Sequence, residues 1–205
     1  MGIPGMFEYV KKACRETHVW EFHGKTLGVD MSGLIHRAIN VKKNDSLQAQ
    51  ADHVMMYVLA MQKHCKLYLV FDGKAPKNKM RKREITEEKS ESEAVKEEKP
   101  VITREIVSEI KKNLDKMSNV TIVQAPSEAD PQLAFMALNG FIDAVVTEDS
   151  DLIVYGCEKV IFLYLFDISF SRFCTRSNRS ENAFCTRNLN LSLKSTFRCC
   201  VGSAY

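Results

Sequence analysis

Leu67-Tyr68-Leu69-Val70-Phe71, followed at once by Asp72, is the stretch that sets the architecture of this chain. Five consecutive apolar residues cannot be divided between a wet face and a dry one, so the run reads as a strand buried on both sides. Such a strand belongs inside a parallel sheet, and the acid at its end lies where these sheets bind ligands. Four further runs share this character: Thr26-Leu27-Gly28-Val29, Val120-Thr121-Ile122-Val123, Ala144-Val145-Val146-Thr147 and Val160-Ile161-Phe162-Leu163. Between them, apolar periodicity predicts helices over about 33–64, 101–117 and 127–139, the last ended by Gly140. Strands alternating with helices predict an α/β fold with a mostly parallel central sheet flanked by helices.

Three of the strands run straight into acid. Val29 precedes Asp30, Phe71 precedes Asp72, and Thr147 precedes Glu148-Asp149-Ser150-Asp151. The run 120–123 leads through Gln124-Ala125-Pro126 to Ser127-Glu128-Ala129-Asp130. There the Ser127 hydroxyl is placed to cap the next helix, with Pro131 in its first turn. A lone Asp after a strand is usually a turn former or a helix cap, and two acids at i, i+2 commonly sit in a solvated loop. Four strand ends turning acidic in one sheet are harder to explain that way. Asp30, Asp72, Glu128, Asp130, Asp149 and Asp151 form a candidate metal site, because hard divalent cations take oxygen ligands. The i, i+2 spacing in Glu128/Asp130 and in Asp149/Asp151 lets both members of a pair face one cavity. Converging carboxylates without a cation would repel and raise their pKa values, so the pattern demands metal. Two such ions about 4 Å apart can activate water and stabilise the leaving oxygen in phosphodiester hydrolysis.

The 205 residues, 45% hydrophobic and 27% charged, suffice for one well-buried domain. No apolar run approaches the roughly 18 residues of a membrane span. Met1-Gly2-Ile3-Pro4-Gly5 has neither the basic start nor the apolar stretch of a secretory signal, so an intracellular protein without membrane association is expected. Seven scattered cysteines without CxxC or zinc spacing argue against a disulfide scaffold. The net charge of +3 is uneven, since residues 164–205 hold six basic and two acidic groups, leaving 23 basic and 24 acidic in 1–163. Any positive patch on the folded core must therefore be local. One is present in Lys74, Lys77, Lys79, Arg81, Lys82 and Arg83, followed by a mainly acidic stretch to Lys99. Residues 74–99 cannot bury themselves and are expected to form an exposed helical excursion or loop. Residues 164–205, rich in Ser, Asn, Arg and Cys without clear period, are expected to be disordered or foreign to the fold.

Several stretches are long enough to carry a resemblance. Met1-Gly2-Ile3-Pro4-Gly5, Gly28-Val29-Asp30, Val70-Phe71-Asp72-Gly73, Ala125-Pro126-Ser127-Glu128-Ala129-Asp130-Pro131-Gln132-Leu133-Ala134 and Thr147-Glu148-Asp149-Ser150-Asp151-Leu152 resemble, in order, the motifs of the flap endonuclease and XPG family of 5′ nucleases. The resemblance covers about residues 1–162 and implies a PIN-like 5′ nuclease core with a short helical arch at about 74–99. His36, together with the Thr147–Leu152 motif and Gly156-Cys157, makes the chain similar to the exonuclease 1 branch. It implies one nuclease unit over 1–163, an incomplete N-terminal plus internal region, followed by a divergent tail over 164–205. The pattern is left near Ile161: the family's further Asp in a Gly-Cys-Asp-Tyr-like segment and its K⁺-binding helix–two-turn–helix element are not found.

The resemblance also implies roles. Asp30, Asp72, Glu128, Asp130, Asp149 and Asp151 would ligate two Mg²⁺ ions, with Mn²⁺ as a substitute, and Asp30, Asp72 and Lys79 would be catalytic. Gly2, His36, Lys79, Arg81 and Arg83 would contact nucleic acid. His36 would stack on a base near the scissile phosphate, Lys79 would help place that phosphate, and Arg81 or Arg83 would be the arch arginine. The implied activity is that of a 5′ to 3′ DNA exonuclease and structure-specific flap endonuclease in repair and recombination, in the nucleus. Its implied partners are DNA with 5′ ends, nicks, gaps or flaps and mismatch-repair or replication proteins, the chain itself being a monomer. Two other readings compete: a truncated, catalytically impaired form that only binds DNA ends, and a PIN-type ribonuclease, against which the long motifs argue.

Overall fold

The runs read as buried strands do pair, and they pair parallel. In the computed structural model, which describes residues 5–6, 14–74, 102–163 and 171–175, they become β2 (Thr26–Asp30), β3 (Lys66–Phe71), β4 (Val120–Gln124), β5 (Ala144–Thr147) and β6 (Lys159–Leu163). Parallel neighbours need crossovers, and helices supply them. α1 (Met31–Val41) and α2 (Leu47–Gln62) join β2 to β3, and α3 (Arg104–Leu114) precedes β4. α4 (Ala129–Leu138) joins β4 to β5, and the short α5 (Asp151–Val154) joins β5 to β6.

In β2, β3, β5 and β6 alternate residues face opposite helical layers, which is why these runs are apolar; β4, at the sheet edge, is not buried as its sequence suggests and leaves Thr121 and Gln124 exposed. Leu67, Leu69 and Phe71 join the core beneath α1–α3, whereas Val70 turns to the core beneath α4. β5 divides the same way, Ala144 and Val146 to one layer and Val145 to the other. Leu67, Leu69 and Val70 are each fully buried, and burying a side chain of this size contributes roughly 1.5–3 kcal/mol. Gly28 faces α4 at close range. A Cβ there would lie 2.4 Å from Ile142 Cδ1 and 2.8 Å from Leu133 Cδ2, so its absence lets that layer close onto β2.

The strand order places the functional end of the sheet. With β1 (Arg15–Thr17) and β7 (Ser171–Thr175) at one side, it runs β1-β7-β6-β5-β2-β3-β4. From β2 the chain builds outward to β3 and β4, then crosses back to lay β5 on the other flank of β2. The switch point lies between β2 and β5, at whose carboxyl ends stand Asp30 and Glu148-Asp149.

Three features depart from the sequence reading. The single helix expected over 33–64 is two, broken over 42–46, and α2 restarts where the Ser46 hydroxyl accepts the Ala49 N–H at 3.2 Å. β1 was not anticipated. Nor was β7, which lies within the stretch expected to be disordered yet pairs antiparallel with both β6 and β1. The arch expected at about 74–99 falls outside the described residues except for Lys74. No helix among the described residues is long and apolar enough to cross a membrane.

Candidate metal centre

Each acid of the cleft is positioned by the element it ends or begins. Asp30 closes β2 and is the N-cap of α1, its Oδ1 accepting the Ser32 N–H at 3.0 Å. Its Oδ2 accepts the Thr147 hydroxyl at 3.2 Å, joining the ends of β2 and β5. Thr147 Oγ1 in turn accepts the Asp149 N–H at 3.0 Å, and Asp149 Oδ1 accepts the Asp151 N–H at 3.1 Å. Asp30, Asp149 and Asp151 are thus set by one hydrogen-bonded chain.

Asp72 spans the other side. Its Oδ2 accepts the Ser32 hydroxyl at 2.5 Å, and its Oδ1 accepts the Ala129 N–H at 2.7 Å. The starts of α1 and α4 are therefore both tied to this carboxylate. The segment is seated on the 124–127 turn: the Gln124 amide donates to the Asp72 carbonyl, and the Gly73 N–H donates to the Ser127 carbonyl at 2.5 Å. Gly73 has no alternative, since a Cβ would fall 2.0 Å from the Ala125 carbonyl oxygen. The cap expected from Ser127 is not made. The N-cap residue is Glu128, whose side chain does not cap the helix, and Asp72 accepts the Ala129 N–H.

Crowding of like charge shows in the pKa values. Asp30 is 6% exposed. Burial pushes its carboxyl from the ordinary 3.8 up to about 6, with Asp72 adding to the rise and the N–H groups of Gly33 and Ser32 opposing it. Asp130 goes further, to about 7, through burial first and then the charges of Asp30, Asp149, Asp72 and Asp151. Five of the six sequence-predicted acids therefore share one electrostatic field. Glu128, the sixth, lines a cleft of about 370 Å³ together with Ser32, Asp72 and Ser127.

The donor set fits hard divalent cations. It is all oxygen, and Asp130 carries repulsion that a cation would relieve. Among the described residues no three acids, histidines or cysteines already close on one ion position. Asp30, Asp72 and Asp149 instead hold backbone and hydroxyl donors. That is compatible with a cation that keeps several of its waters and takes only one or two carboxylates directly, as Mg²⁺ does.

Of the other sequence-predicted residues, His36 is half-buried on α1, and burial holds its imidazole below the ordinary value, with Asp72 opposing. Gly2, Lys79, Arg81 and Arg83 lie outside the described residues. The structure adds residues that the sequence did not single out: Ser32 and Thr147, which orient the acids, and Arg37, which is 7% exposed. Arg37 Nε pairs with Glu148 Oε1, and its Nη2 donates to the Leu163 carbonyl at 2.8 Å. Burial raises the Glu148 carboxyl and Arg37 opposes the rise. A charged residue inside a helical pattern carries no signal of such a role.

Comparison with known proteins bears on the family and the fold. Residues 1–93 match the family model of the XPG N-terminal domain, and residues 119–199 match that of the XPG I-region. The second match runs past Ile161 and takes in β7. Exonuclease 1 of Xenopus laevis is 30% identical over 183 residues, covering 78% of this chain and 25% of that protein. Exodeoxyribonuclease 1 of Schizosaccharomyces pombe is 30% identical over 185 residues, covering 79% of this chain and 32% of that protein. The chain thus spans between about a quarter and a third of the length of these two relatives. In fold it is similar to the catalytic core of Rad2 in complex with DNA substrate, at a TM-score of 0.73 and 17% identity over 95% of this chain and 60% of that one. Flap endonuclease-1 from Methanococcus jannaschii gives a TM-score of 0.59 at 22% identity, over 81% of this chain and 62% of that one.

Proposed function

Because the chain belongs to the XPG family of 5′ nucleases, we propose that its acidic cleft hydrolyses phosphodiester bonds from the 5′ side of DNA. The reaction is that of a 5′ to 3′ exonuclease and flap endonuclease serving repair and recombination in the nucleus. One observation carries the reading. Burial, with the charges of four neighbouring carboxylates, raises a fifth, Asp130, to about 7, a charge arrangement suited to divalent cations and then to a phosphate.

Asp30, Asp72, Glu128 and Asp130 would hold one Mg²⁺, and Asp149 and Asp151 a second, with Mn²⁺ able to replace either. When bound, these cations supply Lewis-acid activation of water and neutralise charge developing on the scissile phosphate. The chain's own residues prepare the site. Ser32 fixes Asp72, and Thr147 fixes Asp30 and the start of the 149–151 turn, so the acids need little reorganisation. His36, whose imidazole burial holds below the ordinary value, offers a ring on which an unpaired base can stack. Lys79 would hold the scissile phosphate, with Arg81 or Arg83 assisting and Gly2 near the cleft. Substrates are DNA with 5′ ends, nicks, gaps or flaps, and protein partners are those of mismatch repair or replication.

The test is cleavage of a 5′-recessed duplex by the full chain in Mg²⁺, beside Asp149→Ala. Cleavage by the parent and loss of it in the variant is expected. Binding of ends with no cleavage by either protein would replace the nuclease by an end-binding protein, and equal cleavage by both would remove the acids from the chemistry. Faster cleavage of RNA than of DNA would move the chain to the ribonuclease class.

A further inference from the structure

The Arg37–Glu148 pair adjoins Asp30, and Glu148 is not one of the six acids. Arg37 projects from α1, the helix that Asp30 caps, and is 7% exposed. Nε pairs with Glu148 Oε1, Nη2 donates to the Leu163 carbonyl at 2.8 Å, and Cζ lies 5.7 Å from the centre of the Tyr57 ring. One side chain thereby connects four elements: α1, the loop after β5, the end of β6 and α2. Glu148 stands between Thr147, which holds Asp30, and Asp149, which holds the Asp151 N–H. Gly33 keeps the ground between Asp30 and Glu148 clear, since a Cβ there would come within 3.0 Å of Asp30 Oδ2 and 3.7 Å of Glu148 Cγ.

We infer that Arg37 is a positioning residue for the cation site: by gripping Glu148 it holds that carboxylate out of the cleft and fixes the 147–151 loop so that Asp149 and Asp151 present to metal. The inference rests on the proposed function, because it needs the acids to be ligands. Its physical basis is the planar fork of arginine. The guanidinium can serve a carboxylate and a carbonyl at once, which an ammonium on a flexible stem does poorly. Residues that orient ligands without touching the ion commonly change metal affinity by 10- to 100-fold when replaced.

The test is titration of the full chain with Mn²⁺ at pH 7.5, read by electron paramagnetic resonance of the free ion, with thermal unfolding in EDTA measured alongside. Arg37→Met and Glu148→Gln are each expected to weaken Mn²⁺ binding about tenfold. The double variant should bind no worse than either single one, since both changes cut the same link. Arg37→Lys keeps the charge but not the fork, and should fall between parent and Arg37→Met. Affinities within twofold of the parent in folded Arg37→Met or Glu148→Gln, whatever the unfolding temperature, would overturn the inference and reduce the pair to a structural one. Multiplying losses in the double variant would overturn the coupling. Should Arg37→Met fail to fold, Glu148→Gln and Arg37→Lys decide by the same criteria. A parent chain that binds no Mn²⁺ would sink the proposed function itself, and this inference with it.

Discussion

The carboxylate of Asp72 accepts the backbone N–H of Ala129 at 2.7 Å, capping a helix that begins 57 residues further along the chain. A residue read as a ligand is thus also a structural cap, and the two roles can be separated. Asp72→Asn keeps an acceptor for that N–H but removes the charge, whereas Asp72→Ala removes both. Both variants lose the repulsion between Asp72 and Asp30, so the difference between them reports the cap together with the Ser32 hydroxyl contact. In urea unfolding with EDTA, Asp72→Ala should be about 1 kcal/mol less stable than Asp72→Asn, while both lose Mg²⁺-dependent cleavage. Equal stabilities would show that the cap contributes nothing.

The raised acids set the pH dependence, and its sign is fixed. Asp30 at about 6 and Asp130 at about 7 stand above their ordinary 3.8. Between these values the folded chain binds more protons than the unfolded one, so stability falls as pH rises through that window. Without divalent cations the protein should melt at a lower temperature at pH 8 than at pH 5. Added Mg²⁺ should restore the loss at pH 8 more than at pH 5. Melting curves across pH with EDTA or Mg²⁺ make the check, and an equal Mg²⁺ effect at both pH values would contradict it.

Gly73 should tolerate no side chain. Its Cβ would meet backbone, 2.0 Å from the Ala125 oxygen and 2.8 Å from the Pro126 carbonyl carbon, and backbone cannot step aside as a rotamer can. Gly140, at φ +74, has open space and only its left-handed conformation to defend. Urea unfolding should therefore put Gly73→Ala about 2–3 kcal/mol below the parent and Gly140→Ala about 1 kcal/mol below it. The reverse order would mean that the 73–127 contact is loose.

His36 provides a graded test of base stacking. Tyr in its place keeps a ring, and Ala does not. A stacked base contributes about 1–3 kcal/mol, so His36→Ala should raise the KM for a 5′-recessed duplex by about tenfold or more. His36→Tyr should stay within a few-fold of the parent. Equal KM values in all three would remove the ring from substrate binding.

The parallel sheet and its acidic edge were legible because both depend on local pattern. Four of the five short apolar runs are buried on both faces, and three of the strands run straight into acid. Where the structure departs, distant contacts decide. Ser127 is the residue local chemistry nominates as a cap, but Asp72 reaches the helix first from another strand. Over 42–46 the chain has no Gly or Pro to announce the helix break, only a polar run and the Ser46 cap. β1 and β7 are short strands whose sequences carry little β signal alone, and they form by pairing with each other and with β6. Arg37 looks like any charged helix residue until the fold brings Glu148 and Leu163 to it.

The most direct test of the carboxylate centre is to crystallise the full chain with Mn²⁺ and locate the ion by anomalous scattering. Two peaks of density, one among Asp30, Asp72, Glu128 and Asp130 and one at Asp149 and Asp151, with the first lost in Asp130→Asn, are the result expected. No anomalous density in the cleft at saturating Mn²⁺, or ions bound only elsewhere, would contradict it.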